Sequence, residues 1–284
     1  MGVHGIGNYG YQRKAGGDLA AAVQAISADW QGWLSQGLGN FDLTVPVPSR
    51  LPVAYYADCL FRGLGMGITE PENLTPLGQR LFVAWVAELR DSDQLAVSVS
   101  EGALTVPLRE SADWFTEHYG AWAQRVVTAC VEELATYFDP AHGDRREAAR
   151  ARAADVIRQE RPAVLLAHSL GSVVAYEALC ADRNLAVELF VTLGSPLAMR
   201  RVVFDRLIPM PVGRGIRPPG ARQWVNIADR GDPVAVPRRK LAQRFDGVDR
   251  DHETTISLVN PHLAKSYLRG AEVAREVSPY LRNP

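Results

Sequence analysis

Cysteine is scarce in this sequence, and long apolar runs are missing. The three cysteines, Cys59, Cys130 and Cys180, are an odd number at long spacings, without a C-x-x-C pair or a histidine at metal-ligand distance. The N-terminus is polar and glycine-rich, and no apolar run approaches the roughly 20 residues of a membrane span. We therefore expect a cytoplasmic protein with reduced thiols, no metal, no cofactor and no transmembrane segment.

An excess of charge of one sign is also absent, because 31 basic residues oppose 32 acidic residues. A formal net charge of −1 gives no electrostatic support to a nucleic-acid partner. Only Lys14, Lys240 and Lys265 are lysines, and we interpret the arginine excess as compositional bias before any phosphate site. We expect no nucleic-acid partner, and the oligomeric state stays open.

Apolar residues, in contrast, make up 47% of the 284 positions, which is enough for a sizeable core. No internal repeat or long low-complexity linker divides the chain. Apolar runs predict strands at 51–61, 163–167, 187–194 and 223–228, and a helical period predicts helices at 19–34 and 145–160. Apolar strands separated by helices indicate a mostly parallel sheet covered by helices on both faces.

The segment 70–138 has a mostly helical period. Two apolar stripes run along it: Leu81, Phe82, Trp85, Val86 and Leu89 form the first, and Phe115, Tyr119, Trp122, Val126, Cys130, Leu134 and Tyr137 form the second. Two interpretations stay open, core packing or a cap over an apolar substrate cleft. The Pro/Gly-rich stretch 207–222 predicts an irregular loop, and we expect it to border the mouth of such a cleft.

The stretch PAVLLAHSLGSVVAYEALC, residues 162–180, passes from a run of strand length directly into a helical period. A strand that feeds a helix through small residues forms a turn on which a nucleophile is held exposed, and Ser169 stands at that turn. The Leu170 N–H then lies at the helix N-terminus, where it can stabilise an oxyanion. The local pattern therefore predicts a nucleophilic serine.

The pentapeptide AHSLG, residues 167–171, resembles the G-x-S-x-G elbow of the α/β-hydrolase superfamily, with alanine in place of the first glycine. The segment VHGIGN, residues 3–8, is similar to the His-Gly segment that supplies the other oxyanion donor in many lipases and esterases. The resemblance implies an α/β-hydrolase fold with 1–284 as a single domain and 70–138 as a helical insert before the elbow. Because the His-Gly segment begins at residue 4, we expect a shortened sheet of about six strands.

The same resemblance assigns roles near the N-terminus. The Ile6 N–H is implied as the second oxyanion donor, with Gly5 as the alternative, and His4 is expected to orient the loop. The helical insert adds two tryptophans to the expected substrate site. The residues that we expect to line it are His4, Gly5, Asn8, His168, Trp85 and Trp122.

The chain order of the superfamily is serine, acid, histidine. Asp232, in GDPV, stands where related hydrolases carry the acid, and Asp229 is the alternative three residues earlier. His262, in NPHLAKSYL, follows an Asn-Pro turn and precedes a helical run, whereas the alternative base His252 lies among charged residues. His168 precedes the acid, so we expect a structural role for it.

These residues together imply a serine hydrolase that cleaves an ester-type acyl bond through an acyl-enzyme, in the manner of carboxylesterases and lipases. The apolar content of the insert favours a small-molecule acyl ester or a lipid-like substrate. A thioesterase or acyltransferase with the same triad is the first alternative, and a peptidase is another. A non-catalytic binding or receptor module on the same scaffold is the alternative of a different class.

Overall fold

The computed structural model describes residues 1–41, 46, 48–61, 70–91, 105–235, 241–257 and 261–281. Six strands form one sheet: β1 (Gly2–Val3), β2 (Val53–Ala54), β3 (Val164–His168), β4 (Val187–Leu193), β6 (Ala221–Asp229) and β8 (Arg250–Thr254). Their order is β2-β1-β3-β4-β6-β8, and every neighbouring pair is parallel. Two further strands, β5 (Gly215–Ile216) and β7 (Phe245–Asp246), pair separately. The prediction of a mostly parallel sheet of about six strands is confirmed.

Ten α-helices lie within the described residues. They are α1 (Tyr9–Lys14), α2 (Leu19–Asn40), α3 (Ala57–Leu60), α4 (Pro76–Asp91), α5 (Thr105–Phe138), α6 (Gly143–Glu160), α7 (Leu170–Ala181), α8 (Leu241–Arg244), α9 (Ala264–Leu268) and α10 (Ala271–Leu281). Short 3₁₀ helices span Pro71–Asn73, Pro140–His142 and Phe204–Arg206. None of these helices has the length and apolar character required to cross a bilayer.

The two faces of the sheet bury alternate residues of its strands. Leu165, Ala167 and Phe190 belong to the core shared with α4, α5, α6 and α7. Leu166 and Val191 belong to the opposite core, which α2 and α10 cover. This two-residue alternation explains why the central strands are apolar almost throughout, since both faces are buried.

The predicted strand at 51–61 is wrong over most of its length. Only Val53 and Ala54 pair with β1, and the chain then enters α3. The partner strand β1 is itself two residues long, so the pairing with it ends after Ala54. The Tyr56 N–H bonds the side chain of His4 instead of a neighbouring strand. Apolar composition alone did not reveal this early end of the strand.

Residues 92–104 of the predicted insert 70–138 lie outside the described residues, and the described parts contain the helices α4 and α5, which pack on each other. Most of its two predicted stripes, including Phe82, Phe115 and Leu134, lie in the same core as α7. At Gly120 the φ of 83° interrupts α5, so that the helix consists of two parts joined at a kink. The C-terminal part then runs along α7, from Cys130 beside Ser169 to Tyr137 beside Glu177.

Candidate active site

Ser169 occupies a strained turn between β3 and α7. Its φ of 53° and ψ of −129° are unusual for a residue with a side chain. Two contacts fix its backbone: the Ser169 N–H donates to Leu193 O at 2.9 Å, and Ser172 Oγ donates to Ser169 O at 2.6 Å. The turn therefore presents the Ser169 side chain at the carboxyl edge of the sheet, beside the N-terminus of α7.

Gly171 allows β1 and α7 to approach each other closely. A Cβ atom at this position would lie 2.2 Å from His4 O and 2.5 Å from Val3 O. Both atoms belong to backbone, which cannot rotate away as a flexible side chain can. The small residue two positions after the serine is therefore required by the packing of this helix on β1.

A continuous chain of hydrogen bonds joins Ser169, His262 and Asp232. His262 Nε2 lies 2.9 Å from Ser169 Oγ, and His262 Nδ1 lies 2.8 Å from Asp232 Oδ2. All three residues are buried. Because a carboxylate only accepts, His262 carries its proton on Nδ1, and Nε2 accepts from the serine hydroxyl. This arrangement permits the imidazole to receive the serine proton while the carboxylate stabilises the resulting cation.

Asp232 is held by donors on several sides. Tyr267 Oη donates to Asp232 Oδ2 at 2.7 Å, and the Val234 N–H donates to Oδ1 at 2.8 Å. Burial by itself raises the pKa of Asp232, but the charge of His262 and the hydrogen bonds to the carboxylate outweigh it and lower the pKa below its usual value. Asp232 is therefore ionised at neutral pH.

The two alternative residues lie elsewhere. Asp229 accepts hydrogen bonds from the backbone N–H groups of Gly231, Ile256 and Ser257, which stabilises the turn after β6. His252 Nε2 lies 2.8 Å from Glu276 Oε1, so this imidazole faces α10. Neither residue takes part in the hydrogen-bonded chain that ends at Ser169.

His168 supports the loop that carries His262. Its Nε2–H donates to the His262 carbonyl oxygen at 2.8 Å, since a carbonyl only accepts. Burial, together with the nearby charge of His262, lowers the pKa of His168 to about 3. The imidazole is therefore neutral at physiological pH and fixes the position of the neighbouring histidine.

The loop after β1 packs directly against the serine. A Cβ at Gly5 would lie 2.7 Å from Ser169 Cβ, so only glycine fits there. His4 Nδ1–H donates to Gly5 O at 2.6 Å, while His4 Nε2 accepts from the Tyr56 N–H at 3.0 Å. Burial lowers the pKa of His4 to about 4 and keeps this pair of bonds in one tautomer. His4 thus orients the loop from behind.

Two backbone N–H groups belong to the segments that adjoin Ser169. Leu170 begins α7, so its N–H has no partner inside the helix. Ile6 follows Gly5 in the loop that contacts the serine. The next N–H, from Gly7, is already bonded to Glu133 Oε1 at 2.7 Å. The role of Ile6 and Leu170 as oxyanion donors stays a prediction.

A cavity of about 590 Å³ opens beside this cluster and reaches His168 and His262. Its wall is mostly apolar and includes Tyr9, Trp30, Trp33, Phe61, Trp122 and Val126. The rings of Tyr9 and Phe61 stack in it with centroids 3.6 Å apart. This volume and this character are typical of a site for a small molecule.

Of the predicted lining residues, Asn8, His168 and Trp122 line the cavity, whereas His4, Gly5 and Trp85 do not. His4 is buried behind the loop, and Gly5 packs against Ser169 and His168. Trp85 is fully buried, and its Nε1–H donates to Pro233 O at 2.9 Å, so it packs beneath the Asp232 turn. The expectation for these three residues is therefore wrong.

The loop 207–222 also does not border the cavity. Gly220 O accepts from Val187 N at 2.8 Å, which places the end of this loop at the amino ends of β4 and β6. Ser169 lies at the opposite, carboxyl edge. The chain order did not indicate to which edge of the sheet the loop returns.

Helix α5 contributes Cys130, Val126 and Glu133 to the site. Cys130 and Val126 were predicted as members of an apolar stripe, and Glu133 carried no sequence signal. The Cys130 thiol contacts the Ser169 side chain, and burial raises the pKa of that thiol well above its usual value. Val126 and Glu133 of the same helix line the cavity. Trp30 and Trp33 of α2 line it as well, and Trp30 also belongs to the core between α2 and the sheet.

Among the described residues, no group of three or more His, Cys, Asp and Glu side chains is placed to hold a metal ion. The comparisons with known proteins identify no family: no protein-family model, no curated protein and no solved structure matches the chain. The geometry of the site therefore carries the functional argument.

Proposed function

We propose that the protein is a serine hydrolase of the α/β-hydrolase type that cleaves ester-type acyl bonds through an acyl-enzyme. The observation that supports this most directly is the hydrogen-bonded chain from Ser169 Oγ through His262 to Asp232. A strained turn at a helix N-terminus carries the serine, as the mechanism requires. The class is recognised by geometry and roles, and the geometry around Ser169 supports the proposal.

In the proposed reaction Ser169 Oγ attacks the acyl carbon while His262 Nε2 takes the hydroxyl proton. Asp232 holds the imidazole in its Nδ1–H tautomer and stabilises the imidazolium that forms. The N–H groups of Ile6 and Leu170 donate to the oxyanion. His262 then protonates the leaving alcohol, and a water molecule, activated by the same imidazole, hydrolyses the acyl-enzyme.

The cavity supports a substrate with an apolar acyl group. Indole and phenyl rings form much of its wall, and burial of a methylene there contributes about 0.8 kcal/mol to binding. A short or medium acyl chain, or part of a lipid, matches these walls better than a polar peptide does. We therefore propose small acyl esters or lipid-like esters as substrates.

Covalent labelling of Ser169 tests the proposal. A fluorophosphonate probe should label the wild-type protein and not Ser169→Ala, because the probe reacts only with an activated serine. Ser35→Ala is the matched control, since the Ser35 hydroxyl bonds Gln31 O on α2, away from the site. Equal absence of labelling in the wild type and in Ser169→Ala would favour a non-catalytic binding module.

A substrate screen then separates the catalytic alternatives. p-Nitrophenyl esters of increasing chain length are compared with acyl-CoA thioesters, with Ser169→Ala as the blank. Hydrolysis of the esters at the higher kcat/KM supports the proposed class. A preference for the thioesters would assign a thioesterase with the same catalytic residues.

A further inference from the structure

Glu133 is a carboxyl group in the wall of a mostly apolar cavity. It lies on α5, about one helical turn beyond the cysteine that contacts Ser169. Its Oε1 accepts the Gly7 N–H at 2.7 Å, across 126 positions of sequence. Placing a carboxyl in such surroundings is costly, so its persistence there requires a partner, and that partner is the loop beside the serine.

The bond to Gly7 completes the fixation of this loop. Gly5 O accepts from His4 Nδ1–H and from Asn8 Nδ2, at 2.6 and 2.9 Å. Ile6 O accepts from Asn8 Nδ2 at 2.9 Å, and the N–H of the same peptide unit, from Gly7, donates to Glu133. Both peptide units that flank Ile6 are thereby held, and the Ile6 N–H belongs to the first of them, whose carbonyl is Gly5 O.

We propose that Glu133 is a positioning residue for the oxyanion loop: its carboxylate holds the Ile6–Gly7 peptide so that the Ile6 N–H points to the oxyanion. This inference rests on the proposed hydrolase function. Glu133 does not touch the reacting atoms and acts through Gly7. The left-handed φ of 74° at Gly7 requires glycine, so the backbone there depends on an external anchor and not on its own side chain.

The helical insert thereby contributes to the chemistry as well as to the walls. Glu133 faces the phenols of Tyr55 and Tyr56, beside β2, and the Cys130 thiol on its own helix. The other charged or titratable groups in the same cavity are Tyr9, Arg125, Glu132, His168, His262 and Lys265. Burial raises the pKa of Glu133 to about 7, while the Gly7 N–H bond acts in the opposite direction. The ionised form is the stronger acceptor and holds the loop more firmly.

The test compares Glu133→Ala and Glu133→Gln with Glu117→Gln. Glu117 is an exposed residue on the same helix, so its variant makes the same charge change outside the cavity. We expect Glu133→Ala to lower kcat about tenfold to a hundredfold, below the effect of losing an oxyanion donor outright, with little change in KM. The loss should be the same for short and long esters. Glu133→Gln should retain part of the rate, because its amide oxygen still accepts from Gly7.

The pH profile supplies a readout that a merely structural role would not change. Protonation of Glu133 weakens its bond to Gly7 and should add a partial decrease to the one caused by protonation of the base, so the acidic limb of log kcat/KM should be steeper than a slope of one where Glu133 titrates. In Glu133→Gln it should approach a slope of one. Glu117→Gln should keep the slope of the wild type.

Several outcomes would overturn the assignment. A kcat of Glu133→Ala near that of the wild type would do so, as would a loss confined to KM or to long esters, which would make Glu133 a substrate-lining residue. If Glu133→Ala does not fold, the acidic limb of log kcat/KM in Glu133→Gln is the deciding measurement. A slope of that limb equal to the slope of the wild type overturns the inference. Failure of the fluorophosphonate to label the wild type would refute the proposed hydrolase function itself. A labelled wild type together with Glu133 variants of unchanged kcat would refute only the role of Glu133.

Discussion

Two buried polar clusters of this fold differ in what their groups are free to do. The serine cluster consists of Ser169, Asp232 and His262. The ion-pair cluster consists of Tyr137, Arg146 and Glu177, and it joins α5, α6 and α7. Tyr137 Oη and Arg146 Nε donate to Glu177 Oε2 at 2.7 and 3.0 Å, and Arg146 Nη2 and the Ile208 N–H donate to Oε1.

The two clusters differ in how completely their acceptor atoms are hydrogen-bonded and in whether a proton can move within them. In the ion-pair cluster a permanently charged guanidinium meets a carboxylate whose two oxygens each have two donors, so no proton can move without breaking the packing. The serine cluster places a neutral imidazole between a carboxylate and a hydroxyl, next to a cavity. Both clusters bury charge, but only the second retains a group that can accept a proton and a space that can hold a substrate.

The largest expected effect is on kcat, and it distinguishes His262, the proton acceptor of the serine cluster, from the surface residue His252. His262→Ala should lower kcat by about four powers of ten or more, because removal of the base disables the nucleophile. His252→Ala should leave kcat unchanged, since its ring bonds Glu276 at the surface. Ester hydrolysis under single-turnover conditions measures both variants. A loss in His252→Ala instead would move the base to that residue.

The next effect concerns stability alone. Glu177→Ala removes the carboxylate that neutralises the mostly buried Arg146, which then keeps its bond to Arg206 O, and we expect a loss of about 3–5 kcal/mol in the free energy of unfolding. The control is Glu188→Ala, which breaks an exposed pair with Arg222 and should cost about 0–1 kcal/mol. Urea unfolding at pH 7 measures both. Equal costs for the two variants would contradict the assignment of the ion-pair cluster to stability.

A third effect distinguishes a core tryptophan from a cavity tryptophan. Trp85→Phe leaves Pro233 O without its donor and should lower the free energy of unfolding by about 1–2 kcal/mol. It should not change the ratio of kcat/KM between long and short esters. Trp122, which is 43% exposed and lines the cavity, should behave in the reverse way. In Trp122→Ala that ratio should shift by up to about tenfold, at nearly unchanged stability.

These two tryptophans also show what sequence reasoning can and cannot reach. Helical period places Trp85 and Trp122 on apolar stripes, but it does not say whether a stripe faces the core or a cavity. That depends on which element packs opposite, and on the kink at Gly120. For this reason the interpretation of 70–138 as both core and wall required the three-dimensional arrangement.

Short-range signals were more informative. The turn around Ser169 is specified by residues 167–171, and the central strands by runs that are apolar on both faces. Asp232 and His262 follow a strand and precede a helix, so their order and flanking residues sufficed to select them. Glu133 carried no such signal, because its role depends on contact with Gly7, at the other end of a long sequence separation. The end of β2 after Ala54 depends likewise on a neighbour that is only two residues long.

The smallest effect is a pH dependence of stability that originates in the cavity and not in the ion-pair cluster. Burial raises the pKa of Glu133 to about 7 from an ordinary 4.5, so between these values the folded state holds a proton that the unfolded state has released. Stability from this group is therefore present at low pH and is lost as pH rises through 7. His4 and His168 act with the opposite sign, since burial lowers their pKa values to about 4 and about 3 and stability is lost as pH falls below 6.5.

The contribution of Glu133 to this pH dependence is isolated by subtracting the unfolding free energy of Glu133→Gln from that of the wild type at each pH. Between pH 6 and pH 8 the difference in unfolding free energy between the wild type and Glu133→Gln should move in favour of the variant as pH rises. Glu177→Gln changes a carboxylate that stays paired with Arg146, and it should show no such trend over the same range. Urea unfolding at each pH provides the measurement. Parallel pH curves for the wild type and Glu133→Gln would mean that Glu133 does not change its charge near neutrality, and the steeper acidic limb expected for kcat/KM of the wild type would lose its cause.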